Sequence, residues 1–180
     1  MSKITKCTIH ITACDNCTIE SIRKFHKAQG WSDIGYHWVV DKAGIVHKGR
    51  PENLTGAHVA GHNTGNIGIS YISRGSDTEP NAPYGKFMTE AQRIALEKKV
   101  ADILYRYNLT IYDIYGHNDF DKGKACPCFS VRKSNTFLDN VAKEYAKLKN
   151  PKPEPLEQAE SIDGADNEIS EEAHKAIPLT

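Results

Sequence analysis

Short β-branched runs alternate with helical stretches from residue 4 to about residue 148, and that alternation leaves few architectures open. Residues 4–11, Ile-Thr-Lys-Cys-Thr-Ile-His-Ile, predict a strand. Thr18 is placed as a helix N-cap, with Ile19, Ile22, Phe25 and His26 as one helical face and Gly30 as its stop. Residues 36–40 and 45–48 read as strands joined by the turn Asp41-Lys42-Ala43-Gly44, which would set Tyr36 and His47 near the mouth of the sheet. Residues 67–72 give a further apolar strand. Thr89-Glu90-Ala91-Gln92 has the form of a capping box and opens a helix to Tyr107, buried through Ile94, Val100, Ile103, Leu104 and Tyr107. Residues 111–115 predict a strand running into Gly116-His117, and 119–129 an irregular segment. Ser130 then caps a last helix buried through Val131, Phe137, Leu138, Val141 and Tyr145. The fold class expected is α/β, a mixed central sheet flanked by helices.

The segment Asn150-Pro151-Lys152-Pro153-Glu154-Pro155 breaks that last helix. Residues 1–149 are therefore expected to form one domain and 150–180 an acidic, Pro/Glu-rich tail. The tail has no aromatic residue and too few large apolar ones to offset its ordering entropy, so disorder is expected there. Formal net charge is zero, with 23 basic and 23 acidic side chains, but the first 150 residues carry a net +6 and the rest a net −6. A moderately basic body suits an anionic partner such as a cell wall, a nucleic acid or an acidic membrane. Lys98-Lys99 and Arg132-Lys133 have no aromatic interleaving and read as solvated helix faces, so no nucleic acid is expected. No apolar run approaches the roughly 20 residues of a membrane span. The N-terminus turns polar every second residue and lacks the apolar core of a signal peptide, so synthesis in a cytoplasm is expected. A monomer is expected.

Five cysteines, an odd number in a chain without a signal peptide, argue for thiols or metal ligands rather than a disulfide framework. Seven of the eight histidines fall before residue 118. His10, His117 and Cys126 each sit at or after the end of a predicted strand. Two imidazoles and one thiolate suit zinc and leave a fourth position for water. The same residues also fit ordinary half-buried histidines and a small buried thiol, the commoner fate of such residues. A structural zinc held by Cys14, Cys17, Cys126 and Cys128 is a further arrangement with ribbon-like spacing.

A set of motifs changes the weighting among these. They are Thr8-Ile9-His10-Ile11-Thr12, Gly30-Trp31-Ser32-Asp33-Ile34-Gly35-Tyr36-His37-Trp38-Val39-Val40, and Gly49-Arg50-Pro51-Glu52. Ala57-His58 follows with Asn63 and Ile67-Gly68-Ile69, then Gly116-His117-Asn118-Asp119 and Lys124-Ala125-Cys126-Pro127. In this order and spacing the chain resembles the zinc-dependent N-acetylmuramoyl-L-alanine amidases of type 2, including those of short-tailed coliphages, over roughly residues 4–145. Peptidoglycan recognition proteins share that fold. The resemblance implies Zn2+ on His10, His117 and Cys126, with Tyr36 and Lys124 assisting catalysis. It implies cleavage of the amide between N-acetylmuramic acid and L-alanine in bacterial peptidoglycan, as in a phage endolysin acting on the wall after release from the host cytoplasm. The alternative is a recognition module without turnover; such relatives typically lose the cysteine, and Cys126 is present.

The loop Leu54 to Gly65 has no clean period and is rich in Gly, His, Asn and Thr. Its His58, His62 and Asn63 are candidates for touching the glycan or stem peptide. His37, next to Tyr36 on a strand, would point to the opposite face, into the core.

Overall fold

The computed structural model describes residues 2–151. The expected acidic tail, apart from Asn150 and Pro151, lies outside the described residues. The strands are β1 (Lys6–Ile11), β2 (Trp38–Val40), β3 (Val46–Lys48), β4 (Asn66–Tyr71) and β5 (Ile114–Gly116), and the helices are α1 (Ile19–Ala28), α2 (Glu90–Tyr107), α3 (His117–Phe120) and α4 (Asn135–Lys149). The five strands form one sheet in the order β3-β2-β4-β1-β5. Only β2 and β3 pair antiparallel, as a hairpin; β2–β4, β4–β1 and β1–β5 are parallel.

Side chains alternate across the sheet, and the alternation separates core from site. Cys7, Ile9, Ile11, Val40, Ile67, Ile69, Tyr71 and Ile114 face one way, into a core completed by Leu96, Val100, Ile103 and Leu104 of α2 and by Phe137 and Val141 of α4. On the other face, Val39 packs with Ile34, Ile72 and the α1 residues Ile19 and Ile22. Thr8, His10, Gly68 and Ser70 share that second face by the same period of two. Each fully buried aliphatic side chain stabilises the sheet by about 1.5–3 kcal/mol, so register is strongly held. His10 is thereby fixed on a rigid central strand.

The caps at Thr18 and Thr89 are formed as expected, each with its reciprocal capping box. Several boundaries are corrected. Tyr36 and His37 precede β2 because their carbonyls accept from Arg50 and Gly49 (2.8 Å each), outside the strand ladder. Residues 111–113 form a 3-10 turn instead of a strand, since Asp113 accepts from the Thr110 N–H (2.8 Å) and Thr110 caps Tyr112. The last helix is capped by Ser134, not Ser130; a 3-10 turn at Val131–Lys133 comes first and buries Val131 against Gly116. His117–Phe120, running into the segment expected to be irregular from residue 119, is a short helix whose Asp119 carboxylate accepts from the Gly116 N–H (2.8 Å). Phe25 and Ile94, expected inside, are 63% and 40% exposed. The stripe that α1 buries runs through Ile19, Ile22 and His26, and that of α2 through Gln92, Leu96 and Val100; both helices turn the misplaced residue away from the sheet.

Candidate metal centre and its groove

Parallel pairing of β1 with β5 sets Ile9 beside Gly116, so His10 and His117 emerge next to each other at the carboxyl ends of adjacent strands. Their rings lie 4.8 Å apart, centre to centre. Cys126 reaches them from a loop tied back on itself. Asn118 donates its backbone N–H to the Cys126 carbonyl (2.8 Å), and the Asn118 side chain donates to the Pro80 carbonyl (3.1 Å). The Ile11 N–H donates to Cys126 Sγ at 3.3 Å, aiming the sulfur at β1.

One donor atom from each of His10, His117 and Cys126 lies within 4.8 Å of the others, and this is the one cluster of that kind among the described residues. Tetrahedral zinc with bonds of about 2.0–2.3 Å places its ligand atoms roughly 3.3–3.8 Å apart. The separation of His10 Nδ1 from Cys126 Sγ is 3.7 Å. Burial, then His58 and His117, hold His10 well below the ordinary imidazole range. Burial and then Lys124 lower His117. Both rings are therefore neutral and free to donate a lone pair. Burial pushes the Cys126 thiol up to about 12, against the pull of the Ile11 N–H. A thiolate in that place needs a neighbouring cation, as a metal provides. The His10–Cys126 pair fits zinc on distance, and the three donors together fit it on chemistry.

A groove of about 580 Å3 runs over the cluster. Tyr36, His117, Lys124 and Cys126 share it with Phe25 and Cys17 on the α1 side. The Tyr36 ring centre is 5.2 Å from that of His10, and burial raises its phenol well above the usual range. Lys124 is exposed at the rim.

The structure also corrects placements. His58, expected on the substrate side, is only 7% exposed and turned inward behind His10. The Asn63 side-chain oxygen accepts from the backbone N–H of His58 (2.9 Å) and Val59 (2.8 Å), so it closes its own loop. His62 remains at the surface, its ring 4.7 Å from that of Phe120. His47 is held by Asp41 (2.7 Å) on edge strand β3, away from the groove. His37 is buried as expected, accepting at Nδ1 from the Gly68 N–H (2.9 Å). The four-cysteine arrangement is absent: Cys128 is buried in the α2/α4 core and bonded to Ser76, while Cys126 faces His10.

Two positioning residues were not singled out from the sequence. Arg50 is buried and donates to the carbonyls of Asp33 (3.1 Å), Ile34 (2.9 Å) and Thr55 (2.7 Å), and its own N–H to that of Tyr36. A guanidinium can satisfy three carbonyls at once; an ammonium on a flexible stem cannot hold the same fork. His26 Nδ1 accepts from the Gly35 N–H (3.0 Å), with its ring 5.3 Å from that of Tyr36. Arg50 was visible only as one letter of a motif, and the helical period placed His26 on the buried face without marking it as a partner of the Tyr36 segment.

Comparison with known proteins finds similarity in sequence and in fold. The family model "N-acetylmuramoyl-L-alanine amidase" matches residues 1–129. The endolysin of Klebsiella phage KP32 is 34% identical over 115 residues, covering 64% of this chain and 72% of that protein. The endolysin of Escherichia phage T7 is 33% identical over 121 residues, covering 66% and 74%. Among solved structures, the N-acetylmuramoyl-L-alanine amidase LysC from Clostridium intestinale superposes with a TM-score of 0.61 at 29% identity, covering 82% of this chain and 87% of that one.

Proposed function

Since this chain belongs to the N-acetylmuramoyl-L-alanine amidase family, we propose that it works as a zinc enzyme with His10, His117 and Cys126 as ligands and Tyr36 and Lys124 as catalytic residues. It hydrolyses the amide between N-acetylmuramic acid and L-alanine in bacterial peptidoglycan, in the manner of a phage endolysin. The observation that carries the zinc reading is the convergence of three donor atoms within 4.8 Å under a groove that Tyr36 and Lys124 also line.

An amide is a poor electrophile, and a bound zinc ion supplies Lewis acidity and a water pKa lowered to about 7. The protein's own groups do the rest. Lys124 brings a cation to the rim, where it can stabilise negative charge developing on the amide oxygen. Tyr36, with its phenol kept protonated by burial, orients the attacking water and passes a proton toward the departing amine. The groove holds the muramoyl and alanyl sides of the bond, with the exposed Phe25 as an apolar contact along it. The protein acts as a monomer, its catalytic domain spans residues 1–149, and it is made in the host cytoplasm and reaches the wall after release. Among the described residues no helix is long and apolar enough to cross a membrane.

Metal analysis of purified protein tests the ligand set. One zinc per chain is expected; EDTA should abolish release of new N-terminal alanine from sacculi, and added zinc should restore it. Cys126→Ser should lose most of the metal, while Cys14→Ser and Cys17→Ser should keep it. Full activity in demonstrably metal-free protein would overturn the reading. Tight binding to sacculi without any release would make the chain a recognition module.

A further inference from the structure

We propose that His58 is the positioning residue of the metal centre, fixing the ring and tautomer of His10 so that its Nδ1 faces Cys126 and His117. The proposal rests on the zinc reading above. A backbone carbonyl can only accept, and His58 Nε2 lies 3.2 Å from the Asn66 carbonyl, so that nitrogen must carry the proton. In a neutral ring His58 Nδ1 is then a lone pair, and it lies 3.0 Å from His10 Nε2. His10 must donate there, which leaves its Nδ1 unprotonated, 3.7 Å from Cys126 Sγ. One carbonyl thus sets the proton positions of two successive imidazoles and delivers a lone pair where a metal would sit.

The slot that holds His58 is built for an imidazole. A Cβ added at Gly56 would come within 2.5 Å of the His58 ring, and one at Gly68 within 2.6 Å. Gly68 is in the middle of β4, where glycine weakens a strand and marks a close approach. The wall beside the slot is His37, itself locked between the Gly68 N–H (2.9 Å) and the Leu54 carbonyl (3.1 Å). The Asn66 carbonyl belongs to the first residue of the same strand, so the anchor is as rigid as the sheet. A residue there only to fill space would not need two polar partners in line.

Zinc titration of metal-free full-length protein against a competing chelator tests this, with wild type, His58→Leu and His58→Gln compared. Partners of this kind typically contribute 10–100-fold in metal affinity. His58→Leu should weaken zinc binding by about that factor. His58→Gln should recover most of it, because an amide can accept from His10 and donate to Asn66. The visible spectrum of the cobalt-substituted protein should shift in the Leu variant and return toward wild type in the Gln variant. Unchanged zinc affinity in His58→Leu, or equal weakening in both variants, would overturn the proposal. If the Leu variant does not fold, nitrogen–proton NMR correlations of the metal-free wild type decide the matter: His10 and His58 should both be protonated at Nε2, and a proton on His10 Nδ1 would refute it. Failure of the wild type to bind zinc would instead remove the metal reading, with the NMR measurement still deciding the tautomers.

Discussion

At the scale of single residues, the centre divides into groups that hold metal and groups that act on substrate. Lys124 and Tyr36 line the groove without belonging to the donor cluster. Lys124→Ala and Tyr36→Phe are therefore expected to leave zinc content and melting temperature as in the wild type. Each should cut turnover by a factor of about 100 to 1,000, because each acts on charge or protons that develop only in the transition state. Affinity for insoluble peptidoglycan should change little, since ground-state contacts are spread along the groove. Alanine release and sacculus binding measured side by side check the split. If Lys124→Ala matches wild-type turnover, its catalytic role is withdrawn.

At the scale of elements, the loop after β3 is tied to α2 by one carboxylate. Glu52 accepts from Arg106 Nη1 (2.7 Å) and Nη2 (2.9 Å), the Tyr107 hydroxyl (2.7 Å) and Trp38 Nε1 (2.6 Å). Burial alone would raise its pKa, but the Arg106, Tyr107 and Trp38 hydrogen bonds hold it down at about 2. The stabilisation is fully present above the unfolded carboxylate pKa of about 4.3 and is lost as pH falls through the folded value. Arg106 is partly exposed, so solvent screening limits the effect. Glu52→Gln should lower stability at pH 7 by about 1–2 kcal/mol, roughly 3–6 °C in melting temperature. The gap between variant and wild type should close as pH falls from about 4.5 to 2, and thermal melts across that range would show it. A constant gap would mean that the carboxylate charge is not what ties the loop to α2. The same loop carries Arg50, which grips the segment leading to Tyr36, so its looseness should also reach turnover.

At the scale of the whole chain, charge is split between a body of net +6 and a final thirty residues of net −6. The composition of that final stretch gives it little apolar surface to bury. A chain ending at Asn150 is expected to melt within a few degrees of the full-length protein. Removing the acidic stretch should also strengthen binding to an anionic wall at about 0.01 M salt, where charges interact over roughly 30 Å, and matter much less at 0.15 M. Co-sedimentation with sacculi at the two ionic strengths reads this out. Equal binding with and without the stretch at low salt would rule out electrostatic competition by the tail.

What the sequence determined by itself was whatever depends on period and local chemistry. The alternation in Cys7, Ile9 and Ile11 predicted β1, and the Thr-x-x-Gln box predicted the start of α2, because a strand face and a helix cap are built from neighbours in the chain. His10, His117 and Cys126 could be named as a candidate ligand set, but ordinary half-buried histidines and a buried thiol are the commoner fate of such residues, and only the motif order changed that weighting. Only the tertiary structure could decide what depends on distant segments meeting. The local pattern put the cap of the last helix at Ser130, and the burial of Val131 against Gly116 moved it to Ser134. His58 looked like a loop residue for substrate. The glycines at 56, in the loop, and at 68, on β4, open a slot that turns it inward onto His10. Hydrogen-bond direction at His10 is set by a carbonyl on β4, and no pattern local to His10 encodes it.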